Sequence, residues 1–366
     1  MSAYVVEAEA ASSRLRNWLI SGAIQAVSGA DAGAVAGSID RDGRAHYYYP
    51  EITGYYLHWL AEARESLGPA ATLSAQCAST WAARAFANNN IPATRIYPVE
   101  DASCAKVAAN PDDWRNRAVF FFDLAMLLRG LAAAHERELI TEPDFVVNRL
   151  LTELARFINA DGDIFAARAR AEENVLPERW STAAGGYEAK ACAAILTAGK
   201  GRRIASTLMN ACQQFNARQI GTAMMQPINL LHPTLYFAEG LMYATPFPAS
   251  EITHLLSACL VLMREDGCLP ETETSDQFRC DVTAQALRIG ILLRARSVDS
   301  APNREQIFRL ASALFNRVRD DGSLPCHADD GDGSSNVWSA IFAEQALRWF
   351  VRHERGLDLP AARWIT

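Results

Sequence analysis

Two short stretches, "EDGCLP" from Glu265 and "DDGSLP" from Asp320, constrain this chain more than any other feature. Each follows a helix-like run, and each leads to a helix carrying Gln-Ala-Leu-Arg, at Gln285 to Arg288 and at Gln345 to Arg348. The turns are 55 residues apart and the helices 60, so the second copy holds about five extra residues, with "DDGDG" at 329–333 the evident insertion. "RDGRAH" at Asp42 and "ADGDIF" at Asp161 are turns of the same kind. Asp bonds its own backbone and Gly accepts positive φ, so the pair makes a tight reversal between helices.

With that register the chain reads as paired helices. First members are expected near 9–27, 74–89, 142–158, 203–216, 250–264 and 303–319. Second members are expected near 50–65, 117–134, 182–198, 233–244, 280–296 and 336–353. The first set is amphipathic: Ile307, Leu310, Ala311, Leu314 and Phe315 share one face. The second set is apolar nearly all round, as in "AVFFFDLAMLLRGLAAA", and such a helix is buried on all sides. Six amphipathic and six buried helices predict an all-α ring of six outer/inner hairpins, one domain over 1–366. No strand signal competes; "TRIYPV" at 94–99 is broken by proline and reads as loop.

Paired helices joined by "DG-x-L-P" turns resemble the (α/α)6 toroids. That superfamily holds six-hairpin glycosidases, sugar 2-epimerases, the uronyl C5-epimerase catalytic domain, and the terpenoid-cyclase and prenyltransferase barrels. The segment "YPEITGYY" resembles bacterial proteins linked to exopolysaccharide synthesis. The resemblance implies a saccharide ligand, but supplies no catalytic signature to carry over.

In such a ring the buried-helix N-termini, with unpaired N–H groups and partial positive charge, face one funnel. The first mouth holds His46, Tyr47, Tyr48, Tyr49 and Glu51; the third holds Arg179 and Trp180, then Tyr187 and Glu188. The fourth holds His232 and, deeper, Glu239; the fifth holds Glu271, Arg279 and Asp281; the sixth holds His327, Asn336 and Trp338. Glu51, His232, Asp281 and Tyr49 are the expected catalytic groups. His46, Tyr47, Trp180, Glu239, Arg279, Asn336 and Trp338 are the expected substrate contacts. Aromatic faces beside carboxylates and amides suit sugars. Aligning the two Gln-Ala-Leu-Arg helices sets Phe278 opposite Trp338.

Each group also has a plainer reading. Glu51 favours a helix start, and the helix's positive end suits its anion as a base rather than a general acid. His232 before Pro233 reads as a helix cap, and Asp281 as an N-cap. Glu239 and Glu344 need buried partners, for which Arg288, Arg348 or Arg129 are at hand. Asp123 is either a pore acid or a paired core group.

The formal net charge of −7, with no Lys/Arg stripe, argues against a nucleic-acid partner, although an acidic polymer could use a local basic patch. Eight cysteines without a C-x-x-C pair read as reduced thiols. The start lacks the basic and apolar run of a signal peptide, and Asp123 and Arg129 interrupt the longest apolar segment. A cytoplasmic protein without a membrane span is expected. There is no G-x-S-x-G, H-E-x-x-H or D-x-D-D, so neither metal nor nucleotide cofactor is expected. "HADDGDGSSN" departs from calcium-loop spacing and reads as a solvated insertion; "AGKGRR" reads as an interhelical turn. Three functions fit: a sugar or uronate epimerase or glycoside hydrolase; a non-catalytic sugar-binding or assembly protein; or an isoprenoid-handling barrel, disfavoured by the acids at the mouths.

Overall fold

The computed structural model describes residues 3–87, 91–98, 113–141, 143–171, 175–202, 204–225, 228–327 and 333–366. Cys104 and most of the acidic insertion (328–332) lie outside them. The helices are α1 (Ala3–Ile20), α2 (Pro50–Glu62), α3 (Arg64–Leu67), α4 (Pro69–Ala85), α5 (Phe121–Glu136) and α6 (Asp144–Ala155). Then follow α7 (Glu188–Ala198), α8 (Ser206–Thr222), α9 (Leu231–Leu241), α10 (Ala249–Leu260), α11 (Cys280–Ala295), α12 (Arg304–Phe315) and α13 (Val337–Glu354). Helices α2, α5, α7, α9, α11 and α13 are buried along nearly every residue, whereas α6, α10 and α12 bury one stripe.

All four Asp-Gly turns close the same way. The residue three before glycine, Asp40, Asn159, Arg264 or Arg319, accepts the glycine N–H at 2.9–3.1 Å. Its own N–H donates to the carbonyl four residues on, in Arg44, Asp163, Cys268 or Ser323. The glycines have φ of +79 to +87°, a conformation that costs other residues energy. Asp266 and Asp321 accept from the N–H two residues on, at 3.1 and 2.9 Å. In the first two turns Asp40 and Asn159 take that task instead. The leucine of each "DG-x-L-P" then accepts from the residue that starts the next buried helix: Leu269 from Arg279 and Leu324 from Asn336.

That pairing redistributes the insertion. Arg279 precedes Gln285 by six residues, but Asn336 precedes Gln345 by nine. Three of the five extra residues therefore lengthen the start of α13, and two lie in the loop. By helix start, Trp338 corresponds to Asp281 rather than to Phe278. Phe278 is instead packed beneath Arg264, 4.0 Å from its guanidinium, with Cys268 and Ala313.

The chain forms two compact units. In the unit Gly22–Phe215, α2 packs on α5 with unusual intimacy. A Cβ on Gly54 would lie 2.3 Å from the Met126 carbonyl oxygen, and one on Gly130 would lie 2.2 Å from that of Gly54. Only glycine permits this backbone-to-backbone crossing. Two ribbons, β1 (Ala36–Ile39) with β2 (Ala45–Tyr48) and β3 (Ala118–Phe120) with β4 (Ala167–Ala169), run antiparallel. Ile96 of "TRIYPV" pairs with Tyr48 through two backbone bonds. The expected loop at 94–99 thus contains a bridge.

The other unit, Met1–Ser21 with Asn216–Thr366, packs α13 against α1 and α11, with α12 against α1, α11 and α13. Helix α1 starts six residues before the expected 9, because Val5, Ala8, Ala11, Leu15 and Leu19 already make its buried stripe, and it ends before Gly22 at φ +86°.

Candidate active site

In the unit Asn216–Thr366 the loops before α9 and α11 are laced together. Leu231 N–H donates to Glu271 O and Leu230 bridges Thr272, while Cys280 N–H donates to Cys326 O in the loop before α13. This sets the first turns of α9 and α11 side by side, with His232 and Asp281 each the second helical residue. His232 Nδ1 lies 2.9 Å from Gln285 Oε1 and 3.4 Å from Asp281 Oδ2. Both neighbours are acceptors, so Nδ1 carries the proton and Nε2 holds the lone pair. Nε2 makes no hydrogen bond to a described residue. His232 is therefore no backbone cap.

Asp281 is fully buried and clamped. Arg279 donates to it twice, Nε to Oδ1 at 3.0 Å and Nη2 to Oδ2 at 2.6 Å. Trp338 Nε1 donates to Oδ2 at 2.9 Å, and Val282 N–H to Oδ1 at 2.9 Å. Nη1 of Arg279 reaches Glu271 at 3.1 Å. Burial alone would raise the Asp281 pKa, but the charges of Arg279 and His232 and the hydrogen bonds from Arg279 and Trp338 hold it well below the usual carboxylate range. Burial pulls His232 down to about 4, with Asp281 opposing and Arg279 assisting. At neutral pH this is an uncharged imidazole beside an anchored carboxylate, the state of a general base.

The unit Gly22–Phe215 gathers a different set. Glu51, Asp123 and Glu188 stand in the first turns of α2, α5 and α7, all buried. Thr94 donates to Asp123 Oδ2 at 2.5 Å, and Tyr49 also favours its charge by a hydrogen bond. Burial raises Asp123 well above the usual range, with Glu51 and Glu188 adding like-charge repulsion. Glu188 is raised by burial too, with Glu51 adding to it. Its oxygens accept no hydrogen bond of ordinary geometry from a described residue, although Tyr187 lies close enough to offset part of the shift. Three mutually repelling carboxyls cannot all ionise cheaply, so burial and like charge push this cluster toward its protonated forms. Burial first, then Asp123 and Glu51, raises Tyr49 as well.

No protein-family model and no curated protein matches the chain. Solved structures do. A D-mannose isomerase superposes with TM-score 0.69 at 12% identity, covering 95% of this chain and 99% of that one. A cellobiose 2-epimerase from Spirochaeta thermophila gives 0.65 at 14%, covering 97% and 99%. An unsaturated glucuronyl hydrolase specific for heparin gives 0.67 at 9%, covering 96% and 99%. The chain has the (α/α)6 fold of sugar epimerases and glycosidases.

Of the residues expected at the mouths of the inner helices, the structure brings His232, Asp281, Arg279 and Trp338 into one constellation. Glu51 and Tyr49 join the acid cluster. Tyr47 sits edge-on to Tyr49 and beneath Arg95, while His46 is exposed with Nδ1 3.0 Å from Ser38 Oγ. Trp180 is exposed, edge-on to Tyr187. Asn336 uses its carbonyl to cap α13, accepting from Ser339 N–H at 2.9 Å. Glu239 is fully buried in an ion pair with Arg288 at 2.6 Å. Its occupation by Arg288 is a packing role, against its expected place among the substrate contacts. Glu344 is likewise paired, with Arg16 and Arg348. Asp281 is no simple N-cap, since Arg279 holds the cap position. Gln285 and Thr94 are not among the residues expected at a site; Glu188 is expected at the third mouth, and Asp123 reads from the sequence as a pore acid or a paired core group. The available signal was an acid in the first turn of successive apolar helices.

Proposed function

We propose that the protein is a carbohydrate-processing enzyme that moves a proton on the carbon beside a sugar carbonyl, with His232 as the base. The observation that carries this is the neutral, oriented imidazole: Nδ1 held by Gln285 and Asp281, Nε2 uncommitted. Nε2 takes the proton from C2 of an open-chain aldose, and the C–H electrons form the C1–C2 double bond while the carbonyl oxygen takes up charge. Asp281 stabilises the imidazolium so formed, as a neighbouring carboxylate does in other His-based catalysts. Return of the proton to C1, with the O2 hydroxyl proton passing to O1, gives a ketose; delivery from the opposite face at C2 gives an epimer. The isomerase and epimerase among the structural neighbours support the reading at the level of fold. The resemblance of "YPEITGYY" to exopolysaccharide-linked proteins supports a place in polysaccharide synthesis or processing, in the cytoplasm.

The test is deuterium incorporation at C2 of glucose, mannose and cellobiose in D2O, followed by NMR. His232→Asn lowers exchange by about 10²–10⁴. In the wild type kcat/KM rises through pH 4 and is level above it, because the base must be unprotonated. Exchange surviving in His232→Asn overturns the assignment. A sugar-binding or assembly role predicts saccharide binding with no exchange at all.

A second reading is favoured by the acid cluster. Asp123 and Glu188 are each pushed toward the protonated form beside Glu51, the pairing of acid and carboxylate that glycoside hydrolysis requires. Release of nitrophenol from nitrophenyl glycosides, lost in Asp123→Asn, would favour hydrolysis over proton exchange.

A further inference from the structure

Two cavities in the unit Gly22–Phe215 share one wall residue, Arg170. The larger, about 480 Å³, is lined by Arg84, Arg95 and Arg170 together with Trp81, Pro92 and Tyr97. The smaller, about 160 Å³, is lined by Arg156, Arg168 and Arg170 beside Phe157. The guanidiniums are held in place by the protein. Arg84 donates to Ala32 O, Arg95 stacks 4.4 Å above the Tyr47 ring, and Arg168 donates to Arg156 O at 3.1 Å. The backbone N–H of Arg170 donates to Arg117 O at 2.8 Å.

Among the described residues, five guanidiniums line these cavities against two carboxylates, Asp31 and Glu153. Glu153 is shared by Arg149 at 3.1 Å and Arg156 at 2.9 Å. The whole chain has a formal net charge of −7, so a local excess of positive charge runs against the sign of the molecule. Arginine forks suit carboxylates and other planar or tetrahedral oxyanions. The larger cavity also offers apolar walls from Ala85, Pro92 and Ile96, fit for the C–H face of a sugar ring. Trp81 and Tyr97 are buried and offer no open ring for stacking a nucleobase.

We propose that the two arginine-lined cavities form a subsite for consecutive charged residues of an acidic saccharide, binding it by its carboxylates. This names the substrate class and rests on the carbohydrate reading above. Tyr47 stacks under Arg95 and sits edge-on to Tyr49, which ties the larger cavity to the acid cluster.

The test is calorimetric titration of the full chain with tetragalacturonate, maltotetraose, inorganic phosphate and a twelve-nucleotide single-stranded DNA. Tetragalacturonate is expected to bind, more weakly as salt rises, and maltotetraose and phosphate at least about tenfold more weakly. Arg84→Ala with Arg170→Ala, two exposed positions, lowers tetragalacturonate affinity about tenfold or more, while Arg84→Lys with Arg170→Lys recovers part of it. Matching thermal melts confirm that the variants are folded. Absent binding, unchanged affinity in the alanine pair, or equal affinity for phosphate or DNA overturns the proposal. His232→Asn is expected to lower proton exchange by about 10²–10⁴ and to cost tetragalacturonate affinity far less than the alanine pair does. An active His232→Asn therefore refutes the base assignment without touching the subsite, and the arginine variants do the reverse.

Discussion

Asp281 and Glu188 both stand in the first turn of a buried helix, where the unpaired N–H groups favour an anion. Their surroundings drive them apart. Asp281 receives four hydrogen bonds, two from Arg279, and stays ionised. Among the described residues no cation is bonded to Glu188, and burial and the like charge of Glu51 push it toward its protonated form. A helix N-terminus is therefore the weaker influence: burial outweighs it unless an arginine is also supplied. In the unit with the clamp, the fixed anion serves a neutral histidine. In the unit without it, burial and like charge push Asp123 and Glu188 toward their protonated forms beside Glu51. Removing the clamp, removing a lone acid, or trimming the clamp are three ways to test that contrast.

The largest effect is expected from Arg279→Ala. Asp281 is then left buried without its counter-charge, and breaking a buried pair of this kind costs about 3–5 kcal/mol. The Asp281 carboxyl moves up toward the behaviour of Glu188. Arg279 also depresses the His232 pKa, so the acid limb of any proton-exchange profile should move upward from about 4. Urea unfolding and the pH profile read the two effects separately. Wild-type stability and an unmoved limb would mean that the clamp does not set the ionisation of this site.

Glu188→Gln tests the opposite pole. A carboxyl raised by burial binds its proton more tightly folded than unfolded, so rising pH ionises the unfolded chain first and drains stability. The amide removes that penalty. The variant should be more stable by about 1–3 kcal/mol at pH 8, with a smaller gain at pH 5. Thermal melts at the two pH values check it; a gain that shrinks as pH rises has the wrong sign for this account.

What the sequence shows follows the same division between local and distant causes. The Asp-Gly turns, the alternation of striped and fully apolar helices, and the shared Gln-Ala-Leu-Arg are local patterns, and they specify the hairpins. The ribbons escape notice because Ala36, Gly37 and Ser38 have little intrinsic strand preference; pairing with Tyr47 and Tyr48 makes them strands. His232 is visible as a histidine at a helix mouth, but its orientation depends on Gln285, 53 residues away. Glu239 looks like a site acid until Arg288, 49 residues on, is seen against it. A first-turn acid is legible; whether it meets an arginine or another acid is decided by helix packing.

The smallest effect is expected from Trp338→Phe. Trp338 is the second residue of α13, as Asp281 is of α11, so one hairpin's helix start completes the clamp on its neighbour's. Phenylalanine keeps most of the ring and loses the Nε1 donor at 2.9 Å. Arg279 and Val282 still bond both carboxylate oxygens, so Asp281 remains ionised. The loss should be about 1–2 kcal/mol, at the low end for one hydrogen bond to a charged group because the other three donors remain. Combining it with Arg279→Ala in a double-mutant cycle is the sharper measurement. If both donors stabilise the same anion, the indole bond is worth less once the carboxyl, freed of Arg279, takes up a proton, and the two losses fall short of additivity. Strict additivity would mean that Trp338 supports α13 by packing alone and has no share in holding the charge on Asp281.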